Sequence, residues 1–100
     1  MEKKKKISVT STCFNEEKNL PLFYERLQKV FMNLSQYDFE IIIADNCSLD
    51  RSREILREIA AKDKKFKVIF NSNNFGHLRS PINAFLQASG DAVIPMCSDL

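Results

Sequence analysis

Glycine is scarce in this chain, with only Gly76 and Gly90 among 100 residues. That scarcity excludes two common nucleotide-binding devices. A dinucleotide fold needs G-x-G-x-x-G between its first strand and first helix, and a P-loop needs G-x-x-x-x-G-K-[ST]; neither occurs, so no glycine-rich loop cradles phosphate here. Also missing is any apolar run near the roughly 20 residues that span a bilayer, and nothing after MEKKKK has the form of a signal h-region with a cleavage site. The chain therefore reads as cytosolic. Three cysteines, an odd number with no C-x-x-C pair, favour free thiols over a disulfide framework. A net charge of +2 is too small to suggest nucleic acid, and the lysines of MEKKKK read as a solvated leader. One hundred residues suit a single domain with one core, and are few for an enzyme that must hold two substrates.

What is present alternates strictly between two patterns. KISVTST (Lys6 to Thr12) is rich in β-branched residues and reads as a strand. Leu20, Phe23, Tyr24, Leu27, Val30, Phe31 and Leu34 then recur at three- and four-residue steps, one apolar face of a helix whose first turn accepts Pro21. FEIIIA is a second strand, apolar enough to be covered on both faces as parallel strands are. Asp50 is placed to cap a second helix that turns Ile55, Leu56, Ile59 and Ala60 inward, and KDKK forms the turn after it. FKVIF follows as a third strand, with Lys67 marking an edge. A third helix is expected from Ser80 as cap and Pro81 as first residue, stopping at Gly90. DAVIPM is the last strand, where Pro95 demands an edge position or an early end to pairing.

The order βαβαβαβ implies an α/β fold: a parallel sheet with right-handed crossovers and helices on both faces. Ligands of such sheets sit beyond the carboxyl ends of the strands, where strand order reverses. In this chain those ends are TCFNEE, ADNCSLD, NSNNFGH and CSDL, all polar. A phosphoacceptor receiver domain would place an acidic pair after the first strand and an aspartate after the third, but Asn15 and Glu16 follow the first and Asn71 the third. What remains is a set of amide and carboxylate acceptors suited to a base and ribose, and one late aspartate able to hold a divalent cation against phosphate oxygens.

These segments resemble family 2 glycosyltransferases of GT-A fold. ISVTSTCFNEEKNL is similar to that family's β-branched strand and P-x-Y-N-E-x-x-N-L opening, and IIIADNCSLDRSREIL to its V-D-D-G-S-x-D segment. NSNNFGH and GDAVIPMCSDL resemble its R-N-F-G-H and G-D-x-x-x-x-x-D-x-D-L segments, most like the polyprenyl-phosphate sugar transferases. The resemblance covers nearly the whole chain. It implies a Rossmann-like donor-binding half of a longer transferase, a nucleotide-sugar donor with UDP-sugar favoured, and a polyprenyl phosphate or growing saccharide as acceptor. Membrane contact would come only from parts beyond Leu100.

Position by position, the resemblance implies that Thr12, Asn15, Glu16, Asp45 and Asn46 lie beside the base and ribose. Ser48 and Asp50 would organise the loop and cap the next helix. Gly76 would permit a tight turn near the site, Arg79 would face the diphosphate, and Asp99 would hold Mg²⁺ or Mn²⁺. Five departures stand out: Thr12 for proline, Phe14 for tyrosine, Asn46 for the second aspartate of D-D, Cys47 for glycine, and Cys97 for the first aspartate of D-x-D. Two rival readings start from the same residues. Cys13, Cys47 and Cys97, each after a strand, could converge as a zinc or redox site, or the chain could be a non-catalytic nucleotide-binding or interaction module; Asn15 and Asp50, taken singly, could be helix caps and nothing more.

Overall fold

A computed structural model describes residues 4–71 and 88–96. Its elements run β1 (Lys6–Cys13), α1 (Leu20–Asn33), β2 (Asp38–Asp45), α2 (Ser52–Lys62), β3 (Phe66–Phe70) and β4 (Ala92–Pro95). The strands form one sheet in the order β3-β2-β1-β4, and every neighbouring pair is parallel. Strand β2 lies between two others, which is why its sequence is an almost unbroken apolar run.

Alternation along the strands divides the interior into two sets. Ile41 and Ile43 join Val9, Cys13, Leu20, Phe23, Leu27, Leu56 and Phe66 in the main core, while Ile42 and Ala44 face the other way with Ile69 and Ala88. Two right-handed crossovers that step in the same direction along a sheet place both helices on one side. Both α1 and α2 accordingly feed the Ile41–Ile43 cluster. Burying a side chain such as Ile41, Ile43 or Leu56 stabilises by about 1.5–3 kcal/mol, and all three are completely buried.

Several sequence expectations are met with local differences. Val30 was expected inward and is exposed. At about 100° per residue it falls roughly 80° from the axis through Leu20, Leu27 and Phe31, at the rim of the stripe. Pro95 sits on an outer strand where pairing ends, opposite Thr10. The Met96 N–H donates to the Thr10 carbonyl (2.8 Å), so by alternation the missing N–H of Pro95 points away from β1. Of the helix expected from Pro81 to Ser89, residues 81–87 lie outside those described, and Ala88 and Ser89 are not helical. Gly90 works as a close-contact residue instead of a helix stop. A Cβ there would come within 2.5 Å of Ser8 Oγ and 2.8 Å of the Ser8 nitrogen, and the Gly90 N–H donates to that hydroxyl (2.8 Å).

Glu40, within the FEIIIA run, is only 1% exposed. Its Oε1 accepts from Lys67 Nζ (3.0 Å) and lies 3.5 Å from Lys6 Nζ. Oε2 accepts from Ser8 Oγ (2.5 Å), the Ser89 N–H (2.7 Å) and Ser89 Oγ (2.9 Å). One carboxylate thus fastens β1, β2, β3 and the approach to β4 at the amino end of the sheet. Lys67, an edge marker by sequence, is its counterion.

Burial alone would raise the Glu40 pKa, but the hydrogen bonds from Ser8, the Ser89 backbone, Lys67 and the Ser89 hydroxyl outweigh it and leave the group at about 2. A depressed folded-state pKa means the ionised form stabilises the fold above the unfolded value near 4.5, and the contribution is lost as pH falls from there toward 2. Glu40→Gln is expected to destabilise by about 2–4 kcal/mol at pH 7. Urea titrations at pH 7, 4 and 2.5 should show the gap to the native chain closing with acidity; a gap independent of pH would refute the charge-based account.

Candidate functional site

Strand order reverses between β1 and β4, because the chain steps from β1 to β2 to β3 and then reappears on the far side of β1. The carboxyl ends at that crevice, with the loops after β1 and β2, are where a ligand of this fold sits. The two loops are sewn together. Three successive backbone N–H groups of the first donate to side-chain oxygens of the second: Asn15 to Ser48 Oγ (3.0 Å), Glu16 to Ser52 Oγ (2.8 Å) and Glu17 to Asp50 Oδ2 (3.1 Å). The reverse direction is supplied by Asn15 Oδ1, which accepts from the Leu49 N–H (2.7 Å) and, at 3.3 Å, the Asp50 N–H. Asn15 has φ 53°, the left-handed region that asparagine tolerates best among side-chain-bearing residues.

Asp50 also acts as the cap foreseen for α2, from one residue further out than a usual cap. Its Oδ1 accepts the N–H of Ser52, the first helical residue (2.9 Å). Burial raises the Asp50 pKa, but the bonds from Ser52 and from the Glu17 N–H prevail and hold the carboxyl below its ordinary value. The Glu16 carboxylate accepts from Asn19 Nδ2 (2.9 Å), and the Glu16 carbonyl accepts the Asn19 and Leu20 N–H groups that begin α1. Thr12 is half-buried at the end of β1, paired in register with Ala44.

Asp45 is completely buried. Its carboxylate accepts from the Ser48 N–H (3.1 Å), Ser48 Oγ (2.5 Å) and Arg53 Nε (2.9 Å). The other end of the guanidinium, Nη2, donates to the Asn71 carbonyl (2.7 Å), and the Asn71 N–H donates to the Asp45 carbonyl (2.9 Å). Asn71 Nδ2 then donates to Asn46 Oδ1 (3.1 Å). The guanidinium groups of Arg53 and Arg57 lie 5.3 and 4.8 Å from the Phe70 ring centroid, a favourable cation–π arrangement that steadies the end of β3.

The structure therefore brings Thr12, Asn15, Glu16, Asp45 and Asn46 to adjoining strand ends. Gly76, Arg79 and Asp99, with His77 and Cys97, lie outside the described residues. Three contributors escaped the sequence reading: Ser52, Arg53 and Asn71. Ser48, Asp50 and Ser52 do alternate at two-residue spacing, a signal in hindsight; nothing in the sequence marked Arg53 among the charged residues of α2.

Of the three cysteines, Cys13 and Cys47 are free thiols and Cys97 lies outside the described residues. Burial, followed by the nearby Asp45 charge, pushes the Cys13 thiol up to about 11 against partial relief from Ser52, Ser48 and Glu16. A ligand or sensor thiol needs the opposite shift. No group of three or more His, Cys, Asp or Glu able to hold a metal occurs among the described residues.

A parallel sheet with this strand order and a polar carboxyl edge places the chain in the Rossmann-like α/β class. Residues 8–100 match the model of glycosyl transferase family 2, and the chain belongs to that family. It is 37% identical over 100 residues to the undecaprenyl-phosphate 4-deoxy-4-formamido-L-arabinose transferase of Proteus mirabilis (99% of this chain, 30% of that protein). It is 35% identical over 95 residues to the bactoprenol glucosyl transferase of Shigella phage SfV (95% and 31%). Among solved structures, TarS residues 1–349 of S. aureus in complex with UDP superimposes with a TM-score of 0.79 at 29% identity, covering 94% of this chain and 27% of that one. The mannosyltransferase PcManGT of Pyrobaculum calidifontis, in complex with GDP-Man and Mn²⁺, shares the fold with a TM-score of 0.73 at 19% identity (97% and 28%). The chain spans about 30% of the length of these curated relatives.

Cys47, where the resemblance has glycine, is held at φ 61°. A left-handed conformation costs a side-chain-bearing residue about 1–2 kcal/mol, while glycine carries roughly 0.5–1 kcal/mol of extra unfolded-state freedom. Cys47→Gly is therefore expected to be neutral to stabilising, by up to about 1 kcal/mol. A urea midpoint clearly below that of the native chain would show that the thiol supplies packing that the backbone argument omits.

Proposed function

We propose that this chain is the donor-binding part of a glycosyltransferase that takes a nucleoside-diphosphate sugar, preferentially a UDP-sugar, and passes the sugar to a polyprenyl phosphate or a growing saccharide. The observation that carries this reading is the pair of interlocked loops at the reversal point of the sheet, on a chain whose family is established. In it, Thr12, Asn15, Glu16 and Asn46 line the base and ribose region. Asp45 acts from beneath, its carboxylate holding the loop that presents Asn46. Gly76 would permit a tight turn near the site, and Arg79 would face the diphosphate.

A divalent cation, Mg²⁺ or Mn²⁺, would supply charge neutralisation for the diphosphate leaving group. No described residues form a set that could hold it, so on this reading it rests on Asp99 and the donor's own phosphates. A thiol matches these hard cations poorly, which leaves Cys97 without a ligand role. If the acceptor is a lipid phosphate, its oxygen is already ionised near neutral pH and the protein needs no general base to activate it. The names of the Proteus and phage relatives favour that acceptor. The reaction would take place on the cytoplasmic side, with membrane contact made by parts other than these residues. No described helix is long and apolar enough to cross a membrane.

Melting curves with UDP, GDP and ADP, each with Mn²⁺, test the donor site. A ligand that binds only the folded chain at about 100 times its dissociation constant adds about 2.7 kcal/mol and raises the melting temperature. No shift with any of them would overturn the reading.

For the cation, calorimetric titration of UDP with and without Mn²⁺ is expected to show that Asp99→Asn removes the metal-dependent gain in affinity. Cys97→Ser should retain it. Full metal enhancement in Asp99→Asn would remove Asp99 from that role.

A further inference from the structure

The β2–α2 loop is anchored unevenly. Ser48 is buried and tied to the Asp45 carboxylate through both its N–H and its hydroxyl. The next residue has no such support: Leu49 is 86% exposed, so apolar packing does not fix the turn there. A segment with few buried contacts opens easily unless hydrogen bonds hold it. Here they come from across the site, where Asn15 Oδ1 accepts the Leu49 N–H (2.7 Å) and, at 3.3 Å, the Asp50 N–H. Asn15 thus grips two successive residues of the loop, Ser48 Oγ with its own N–H (3.0 Å) and Leu49 with its side chain.

The backbone narrows which residue can do this. Asn15 stands at φ 53°, a region that glycine adopts freely and that asparagine and aspartate tolerate. Of these three, only asparagine and aspartate carry a side-chain acceptor. Both groups that the side chain meets are N–H donors, so its oxygen has to face them.

We propose that Asn15 is a positioning residue for the donor site: its side-chain oxygen sets the tip of the β2–α2 loop before a ligand arrives, and it acts on nucleotide affinity through that loop. The inference rests on the donor-site reading above and deepens it. A loop that is already ordered spares the ligand the entropy of ordering it, which raises affinity without any new contact.

Calorimetric titration of the chain with UDP and Mn²⁺ in about 1 M NaCl, where the Debye length is about 3 Å, tests the proposal on two variants. Asn15→Gly keeps the left-handed backbone and removes the acceptor, and is expected to weaken UDP binding about tenfold. Asn15→Asp restores an acceptor in the same place but has no amide N–H, and the salt screens its charge from the diphosphate; it is expected to recover most of the loss. Amide hydrogen exchange should find the Leu49 N–H protected in the native chain without nucleotide and unprotected in Asn15→Gly, with the β2 amides protected in both. Equal losses in the two variants would assign the effect to an amide N–H on the ligand. An unchanged UDP affinity in Asn15→Gly beside a lowered melting temperature would leave the residue a purely structural part. Either result overturns the proposal. If Asn15→Gly does not fold, the native chain decides: a Leu49 amide that gains protection only when UDP is added overturns it as well. A native chain that binds no nucleotide brings down the donor-site reading first, and this inference with it.

Discussion

The carboxylate of Asp45 sits where the second strand ends, with no contact to solvent. A charge in that position has a large desolvation cost unless its partners are complete, and removing one partner of such a pair typically costs about 3–5 kcal/mol. Here Arg53 provides the countercharge, and Ser48 provides a backbone and a hydroxyl hydrogen. Each partner brings a segment with it. Ser48 carries the β2–α2 loop, whose side chains receive the N–H groups of the β1–α1 loop, and Arg53 carries α2 and, through the Asn71 carbonyl, the end of β3. The rim of the candidate site is thus assembled around one buried ion pair below its surface.

A second buried carboxylate plays the same part at the opposite end of the sheet. Glu40 gathers Lys6, Lys67, Ser8 and Ser89, and so ties the entry of β4 to the three strands that precede it in sequence. Gly90 is compelled by the same contact, since any side chain there would collide with Ser8. Between the two polar ends lies a wholly apolar middle, Ile41 to Ala44, buried on both faces. Such a division keeps β2 in register: sliding it by one residue would turn the Glu40 carboxylate away from Ser8, Lys67 and Ser89 and into the apolar core on the opposite face. The amino-end cluster sets where β4 starts, and β4 is the strand that leads toward Cys97 and Asp99.

The sequence by itself determined the order of the described elements, the parallel sheet and the polar character of its carboxyl edge. Those properties are written in local periodicity, in the polar punctuation after each strand and in the rule that crossovers are right-handed. Position-matched motifs also determined the family, and they single out Asn15, Glu16, Asp45 and Asn46 at the ends of the first two strands. The division of labour among them was not legible. Asp45 and Asn46 are adjacent in sequence and similar in polarity, but strand alternation sends the first beneath the loop, onto Arg53, and leaves the second beside Asn71. That difference depends on what α2 and β3 bring alongside. Arg53, Ser52 and Asn71 lie 8, 36 and 25 residues from the groups they bind, Asp45, Glu16 and Asn46. Glu40 likewise lies within a run that reads simply as an apolar strand, and its role depends on Ser89, 49 residues on. Tertiary structure alone decided these roles, because a buried polar group is defined by partners that the chain brings back from far away.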